Sequence, residues 1–396
     1  MASTASQIAA VTALNLSNIR ERLTSSIVAL VGIAGVVMVL IGVLSMGEGF
    51  RAVLDQSGAA DVAIVLRGGA TDEMGSGLSQ EQTRVIADAK DIKRDADGAI
   101  ASPELYVVVD VPLRRTGTGA NVPLRGVSSN AGKLRENFRI TEGRMFTPGT
   151  FEVIAGRGAA KQFAGLEVGS KLRWGTTEWT VTGIFADRGS VAESEIWTDA
   201  TVLQGAYNRG SSYQSTRVRL TSAGALQSFR DQLTTDPRLN VKVFSEKQFY
   251  EEQSRTLTSL VKYVGTSIAV LMGLGAIFAA LNTMYSAVSS RTREIATLRA
   301  LGFGSVPVTI SVLAEALLLG LAGGLIGAVI SYFAFNGMQA STMNFATFSQ
   351  ITFAFTVTPQ LLLQALIYAL VLGFIGGLLP SLRAAKLPIT TGLREL

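Results

Sequence analysis

The residues that most often do chemistry in proteins are missing from this chain of 396 residues, which contains no histidine and no cysteine. Their absence excludes a Ser-His-Asp triad, a cysteine nucleophile, a Cys/His zinc site, a haem-attachment motif and any disulfide framework. Catalysis would have to rest on carboxylates, lysine, tyrosine or hydroxyls. No G-x-x-x-x-G-K-[ST] phosphate loop occurs: the one Gly-Lys pair, Gly132-Lys133, is followed by Leu134 and has Val127 where the first glycine belongs. A partial calcium-loop pattern is present at Asp95-Ala96-Asp97-Gly98-Ala99-Ile100, with Glu104 at the closing position. Its first ligand position is Lys93, a cation where an anion is needed, and Pro103 opposes an exiting helix, so the segment reads as a solvated turn leading into a strand. The expectation is a chain with no catalytic residues, no metal and no cofactor of its own.

The elements that would carry function are therefore sought in the hydropathy pattern. Apolar residues make up 48% of the chain and charged residues 16%, with a mean hydropathy of +0.35. This balance points to a membrane protein. Four runs are long enough to cross a bilayer as helix, which takes roughly 20 residues. They fall at 25–46, 263–288, 306–335 and 360–379. The first is too long for a signal-peptide core, and its exit, Ser45-Met46-Gly47-Glu48, is no convincing cleavage site, so it reads as a retained anchor.

Charge orients these spans. Segment 1–24 carries Arg20 and Arg22, segment 289–305 carries Arg291, Arg293 and Arg299, and segment 380–396 carries Arg383, Lys386 and Arg394. The opposite loop, 336–359, has no charged residue. By the positive-inside bias both termini and 289–305 are cytoplasmic, and 47–262 and the short loop 336–359 lie outside. The formal net charge of +5 then resides in the cytoplasmic flanks, which hold 8 Lys/Arg against 3 Asp/Glu. No basic patch remains for nucleic acid. Glu315 is the only ionisable residue well inside a span. Such residues are functional candidates by default, but this one lies about two to three turns from the cytoplasmic end, where a helix–helix hydrogen bond is the expected role.

The external segment reads as an α+β domain. Strand-like runs include Asp61–Leu66, Leu105–Val109, Leu172–Trp174 and Trp179–Phe185, and Ser79 opens a helix expected to reach about Lys93. Strand, helix and strand follow at 216–220, 222–233 and 241–244. The expected layout is a membrane-proximal lobe from 47–112 and 213–258 with an inserted β-rich lobe, 113–212. Trp174 and Trp179 flank Gly175-Thr176-Thr177-Glu178 in an expected hairpin, with core or edge packing as their default.

With these residues in view the chain resembles the permeases of MacB/FtsX-type ABC transporters, in a split form without a fused ATPase domain. The resemblance runs along nearly the whole sequence. It includes Ala13-Leu14-Asn15-Leu16 with Arg20 and Arg22 (an amphipathic helix before the first span), Thr141–Phe146, Glu152–Gly156, and above all Ser290-Arg291-Thr292-Arg293-Glu294-Ile295-Ala296-Thr297-Leu298-Arg299-Ala300-Leu301-Gly302 with the tail Pro380–Ile389. It implies a 1+3 helical membrane protein with a large two-lobed extracytoplasmic α+β domain of MacB-like core type.

By resemblance, 289–305 is the cytoplasmic coupling helix that meets an ATPase, with Arg291, Arg293, Glu294, Ile295, Leu298 and Arg299 as its contact residues. Glu294 matches the family's acidic position. Ile295, Leu298 and Leu301 fall at three-residue spacing, and Gly302, Gly304 and Pro307 break the helix before the third span. The resemblance further implies a separate ATP-binding subunit carrying ATP and Mg, a second permease copy (identical or related), the lipid bilayer of a bacterial inner membrane, and in a two-membrane cell a periplasmic adaptor and an outer-membrane duct. The activity it implies is export by mechanotransmission. Lipoprotein release, cell-wall-hydrolase regulation, or a receptor or scaffold with no ATPase are the alternatives. Gly320, Gly323, Gly324 and Gly327, with Gly373 and Gly377, have the small-xxx-small spacing that lets helices approach, within one subunit or between two.

Overall fold

The computed structural model describes residues 23–290, 292–344, 347, 349–386 and 388. The amphipathic helix expected within 1–24 lies almost wholly outside them, as does Arg291. In chain order the main elements are α1 (Leu23–Gln56), β1 (Val62–Arg67), α2 (Gln80–Ala87), β2 (Ala101–Pro112), β3 (Gly119–Val127), β4 (Arg139–Gly143), β5 (Glu152–Gly156), α3 (Arg157–Gln162), β6 (Lys171–Trp174), β7 (Thr177–Ala186), β8 (Ile196–Asp199), α4 (Ala200–Ala206), β9 (Ser215–Arg219), α5 (Leu226–Thr235) and β10 (Val241–Ser245). Then follow α6 (Glu246–Ser290), α7 (Thr292–Ala300), α8 (Ser305–Phe335), β11 (Gln339–Asn344), β12 (Ser349–Ala354) and α9 (Pro359–Lys386).

The chain divides into two compact units. One holds the described residues up to Glu48, Leu260–Met338 and those from Phe355 onward; the other holds Gly49–Ser259 together with Gln339–Ala354.

The first unit is helical, and among the described residues four helices are long and apolar enough to span a membrane: Ile27–Gln56, Tyr263–Ser290, Ser305–Phe335 and Pro359–Lys386. The last runs through Pro380, which withholds one backbone donor but does not end the helix. Side chains such as Phe278 and Phe333, 70% and 82% exposed, are what a lipid-facing surface presents.

The second unit is built on a mixed ten-stranded sheet in the order β10-β1-β9-β2-β3-β8-β5-β7-β4, with β6 pairing β7 off this path. Pairs β3/β8 and β5/β7 are parallel, and the other pairs in the sheet are antiparallel. Strand β2 serves both halves: Ala101–Glu104 pairs with β9, and Leu105–Pro112 pairs with β3. One core lies under α2 and α5, gathering Ala63, Val65, Ile86, Val218, Phe229 and Leu233. The other gathers Val107, Val122, Leu124, Phe163, Trp179 and Ile196. Trp174 and Trp179 both belong to that second core, with ring centroids 6.3 Å apart, and Gly175 takes the left-handed turn between them at φ 61°.

Two local expectations are corrected. Helix α2 begins with a capping box, Gln82 N–H donating to Ser79 Oγ (3.2 Å) and Ser79 N–H to Gln82 Oε1 (3.0 Å), but ends at Ala87, short of Lys93. Ile92 and Lys93 are drawn to the sheet instead, Ile92 bridging Leu220 and Lys93 N–H bonding Arg219 C=O at 2.8 Å. The charge-free 336–359 segment contains a β-hairpin, β11/β12, paired from Gln339↔Ala354 to Asn344↔Ser349. Buried Ser349, Ile351, Thr352 and Phe353 make it part of the sheet-bearing unit. The Asp95–Asp97 turn closes a short hairpin whose two carboxylates bind Lys133 Nζ at 2.7 and 2.6 Å, so a lysine fills the place a cation would take.

Candidate coupling site

Helix α7 sits between the second and third spans. Thr292 Oγ donates to Ser289 C=O at 2.8 Å as the chain leaves α6. The far end closes on a left-handed glycine: Gly302 has φ 95°, its N–H bonds Arg299 C=O at 3.1 Å, and Phe303 N–H reaches back to Leu298 C=O at 3.1 Å. This is a Schellman closure, and it needs a residue without Cβ at Gly302. Helix α8 then starts with Pro307 in its first turn, where a missing N–H costs nothing.

Thr292, Ile295 and Ala296 are buried. Ile295 joins Met284 and Val288 of α6, Val308, Val312 and Ala316 of α8, and Ala384 of α9 in one apolar cluster. Arg293 and Glu294 are exposed, and Leu298 and Arg299 are half-buried. The expected line of Ile295, Leu298 and Leu301 is not one buried stripe. Successive positions three apart drift by about 60° around an α-helix, and Leu301, beyond the helix end, is 72% exposed. What results is a helix with one face wedged among three spans and an opposite edge of charge. At the same end of the bundle the Arg383 guanidinium lies 5.5 Å from the Tyr285 ring centroid.

Glu315 is buried on the face of α8 that also buries Ser311, Val312 and Ala316. The glycines divide between two neighbours. A Cβ on Gly320 would meet Ala369 C=O of α9 at 2.9 Å, one on Gly373 would meet Ala316 C=O at 2.9 Å, and Gly324 and Gly377 abut Ala369 and Ala316. On the other side Gly323 and Gly327 abut α1 at Leu30 C=O (3.0 Å) and Ala34 C=O (2.7 Å). All six close-pack within one chain. Gly376, unremarked in the sequence, plays the same part against Ala280 of α6.

The sheet-bearing unit holds a feature that sequence reasoning missed, a buried ionic cluster where β2 passes from one half of the sheet to the other. Arg125 of β3, 2% exposed, makes paired bonds to Glu73 (2.8 and 2.9 Å) and to Glu195 (2.8 and 2.7 Å), with a further bond to Glu104 at 3.0 Å. Arg217 of β9 bonds Glu104 and lies 3.3 Å from Glu73 and 3.4 Å from Glu246 at the start of α6. Burial would raise the Glu73 and Glu195 carboxyls, but the guanidinium charge, Arg125 foremost, wins and holds both below the usual carboxylate range. The Tyr106 ring, 5.0 Å from Arg125, passes its hydroxyl to Ser349 Oγ in the hairpin at 2.8 Å, and burial pushes that phenol up to about 12. The sequence signal was a charge at an inward strand position, as in Leu124-Arg125-Gly126 and Thr216-Arg217-Val218, which periodicity alone cannot tell from an outward one.

Four spanning helices in a 1+3 order, with a large mixed-sheet extracytoplasmic domain after the first, define the class: a transporter permease with an external core domain. The chain belongs to the MacB/FtsX-like family of ABC transporter permeases, matching the MacB-like periplasmic core domain over residues 26–236 and the FtsX-like permease C-terminal over 266–389. It is similar to the macrolide export ATP-binding/permease protein MacB of Hahella chejuensis, 26% identical over 93% of this chain and 58% of that one. The MacB of Chromobacterium violaceum is 29% identical over 98% of this chain and 60% of its own length. The chain thus spans about three-fifths of these relatives. The periplasmic region of MacB from Actinobacillus actinomycetemcomitans aligns with a TM-score of 0.37 at 12% identity, covering 51% of this chain and 96% of that one.

Proposed function

We propose that this chain relays ATP-driven movement from a separate cytoplasmic ATP-binding subunit to its extracytoplasmic domain, and that the relay serves export. The observation that carries the reading is α7. Its Ile295 is buried among residues of α6, α8 and α9 while Arg293 and Glu294 stay exposed, so a partner pressing on the charged edge moves three spans together. The Lys/Arg bias of the flanks supports a cytoplasmic position for α7 and both termini. Two permease copies would match two ATP-binding subunits. An adaptor and an outer-membrane duct would complete the route in a two-membrane cell, and macrolide-like cargo is suggested only by the relatives' names.

The test is ATPase coupling in reconstituted vesicles holding the permease and its co-purified ATP-binding subunit. Arg293→Ala with Glu294→Ala should leave the permease folded and inserted but remove its stimulation of ATP hydrolysis and its transport. Unchanged stimulation would refute the assignment, and failure to recover any ATP-binding subunit would favour a receptor or scaffold.

A further inference from the structure

The buried cluster contains one carboxylate more than its cations can balance. Four carboxylates, Glu73, Glu104, Glu195 and Glu246, face three guanidiniums, Arg125, Arg217 and Arg135. Glu73 takes two bonds from Arg125 and one from Ser215 Oγ at 2.6 Å, and Glu195 takes two from Arg125 and one from Trp197 Nε1 at 2.8 Å. Glu104 takes bonds from both Arg125 and Arg217 at Oε2, while its Oε1 makes no hydrogen bond among the described residues and has the Arg135 guanidinium 3.9 Å away. Among the described residues Glu246 has Ala59 N–H at 3.3 Å and Arg217 Nε at 3.4 Å and no closer polar partner. It is 6% exposed, so water does not make up the deficit.

We propose that Glu246 carries a proton in the folded protein at neutral pH, and that releasing it makes the seat of α6 in the external domain sensitive to external pH. Ionised, Glu246 would leave the cluster one negative charge in excess in a dry site; protonated, it leaves three carboxylates against three guanidiniums. The groups facing it are Arg217 from β9, Glu104 from β2, Arg135 from the segment after β3, the Ala59 amide from the link after α1, and Tyr250 one turn on in α6, with Arg125, Glu73 and Glu195 completing the cluster. Burial dominates the balance at Glu246 and raises its carboxyl despite Arg217. Tyr106 and Tyr250 do not interfere, since burial moves both phenols up as well. Glu246 is the first residue of the helix whose later part, Tyr263–Ser290, is the second span, and Phe249 and Tyr250 beside it are buried. Deprotonation, with the proton passing to solvent, leaves a repelled anion under that first turn.

The experiment is thermal unfolding of the full chain in detergent between pH 6 and pH 9, comparing the parent with Glu246→Gln and Glu73→Gln. Gln reproduces the shape of the protonated acid. Glu246→Gln should melt at or above the parent already at pH 6, where the unfolded parent's carboxyl is ionised, and its advantage should grow by several degrees towards pH 9 as the folded parent gives up its proton. Glu73→Gln should melt well below both at every pH. A carboxylic C=O infrared band of the parent at pH 6, absent from Glu246→Gln, provides a readout that does not depend on stability. A Glu246→Gln protein that melts as low as Glu73→Gln, or that fails to fold, or a parent with no such band, overturns the proposal.

Discussion

Ser194 and Thr352 hold each other twice: their hydroxyl oxygens lie 2.9 Å apart, and Thr352 N–H donates to Ser194 Oγ at 2.9 Å. Both side chains are buried, and a Cβ on Gly158 would strike the Thr352 hydroxyl, so the hairpin between α8 and α9 has a fitted seat on the external domain. Phe50 and Phe353, in edge contact at 5.8 Å, and the Tyr106–Ser349 bond extend that seat.

Ser194→Ala leaves a buried Thr352 amide without its acceptor and should cost about 1–3 kcal/mol. Denaturant or thermal unfolding of the full chain in detergent measures it. Because the chain has no cysteine, Ser194→Cys with Thr352→Cys gives a single engineered pair. With dissolved oxygen as the electron acceptor the two thiols should close to a disulfide without a crosslinker, visible as a mobility shift reversed by reductant. No closure would mean the hairpin does not rest there.

Arg125→Met removes the shared partner of Glu73, Glu104 and Glu195. Losing one partner of a buried ion network typically costs about 3–5 kcal/mol. The expected outcome is loss of cooperative unfolding of the external domain at ordinary temperature, and Arg125→Lys, which cannot make both paired contacts, should be only partly better.

The same cluster sets an acid limit. Glu73 and Glu195 have carboxyls held below the unfolded value, so the stability they contribute is complete above the ordinary carboxylate range and is lost as pH falls through their lowered values. Melting temperature should therefore fall steeply below about pH 4. Glu246, with a raised carboxyl, contributes in the opposite sense, favouring the folded state as pH falls. A flat profile from pH 6 to pH 3 would contradict this account of the cluster.

Gly320→Leu and Gly327→Leu each place a side chain where a neighbouring helix's carbonyl oxygen already sits, against α9 and α1 respectively. Overpacking of this kind costs about 1–3 kcal/mol or more. Melting of the purified protein should drop for both, while Gly275→Leu, whose Cβ meets nothing within 4 Å, should be near neutral.

What was legible in the sequence was what composition and period encode. Uncharged runs of bilayer length mark the four spans, alternation marks the strands, and Ser79 with Gln82 marks a helix start. The hairpin at 339–354 was not legible, because a charge-free segment between two spans looks the same whether it is a bare loop or is seated on a domain far away in sequence. The ionic cluster was hidden for a related reason. Glu73, Glu104, Arg125, Glu195, Arg217 and Glu246 are brought together only by strand order, and each alone reads as a surface charge. At α7 the residue types were readable but not which would turn inward, since helix phase and the closure at Gly302 decide that Ile295 is buried and Leu301 exposed.

The central claim, that motion enters through α7, is tested most directly by cysteine crosslinking in membranes that also contain the cognate ATP-binding subunit. Arg293→Cys and Leu301→Cys, treated with a short bifunctional thiol reagent, should each yield an adduct with that subunit, one that changes in yield when ATP is added. Phe151→Cys, exposed on the extracytoplasmic domain, should yield none. Adducts from Phe151→Cys, or none from either α7-region position while the subunit remains bound, would contradict the account.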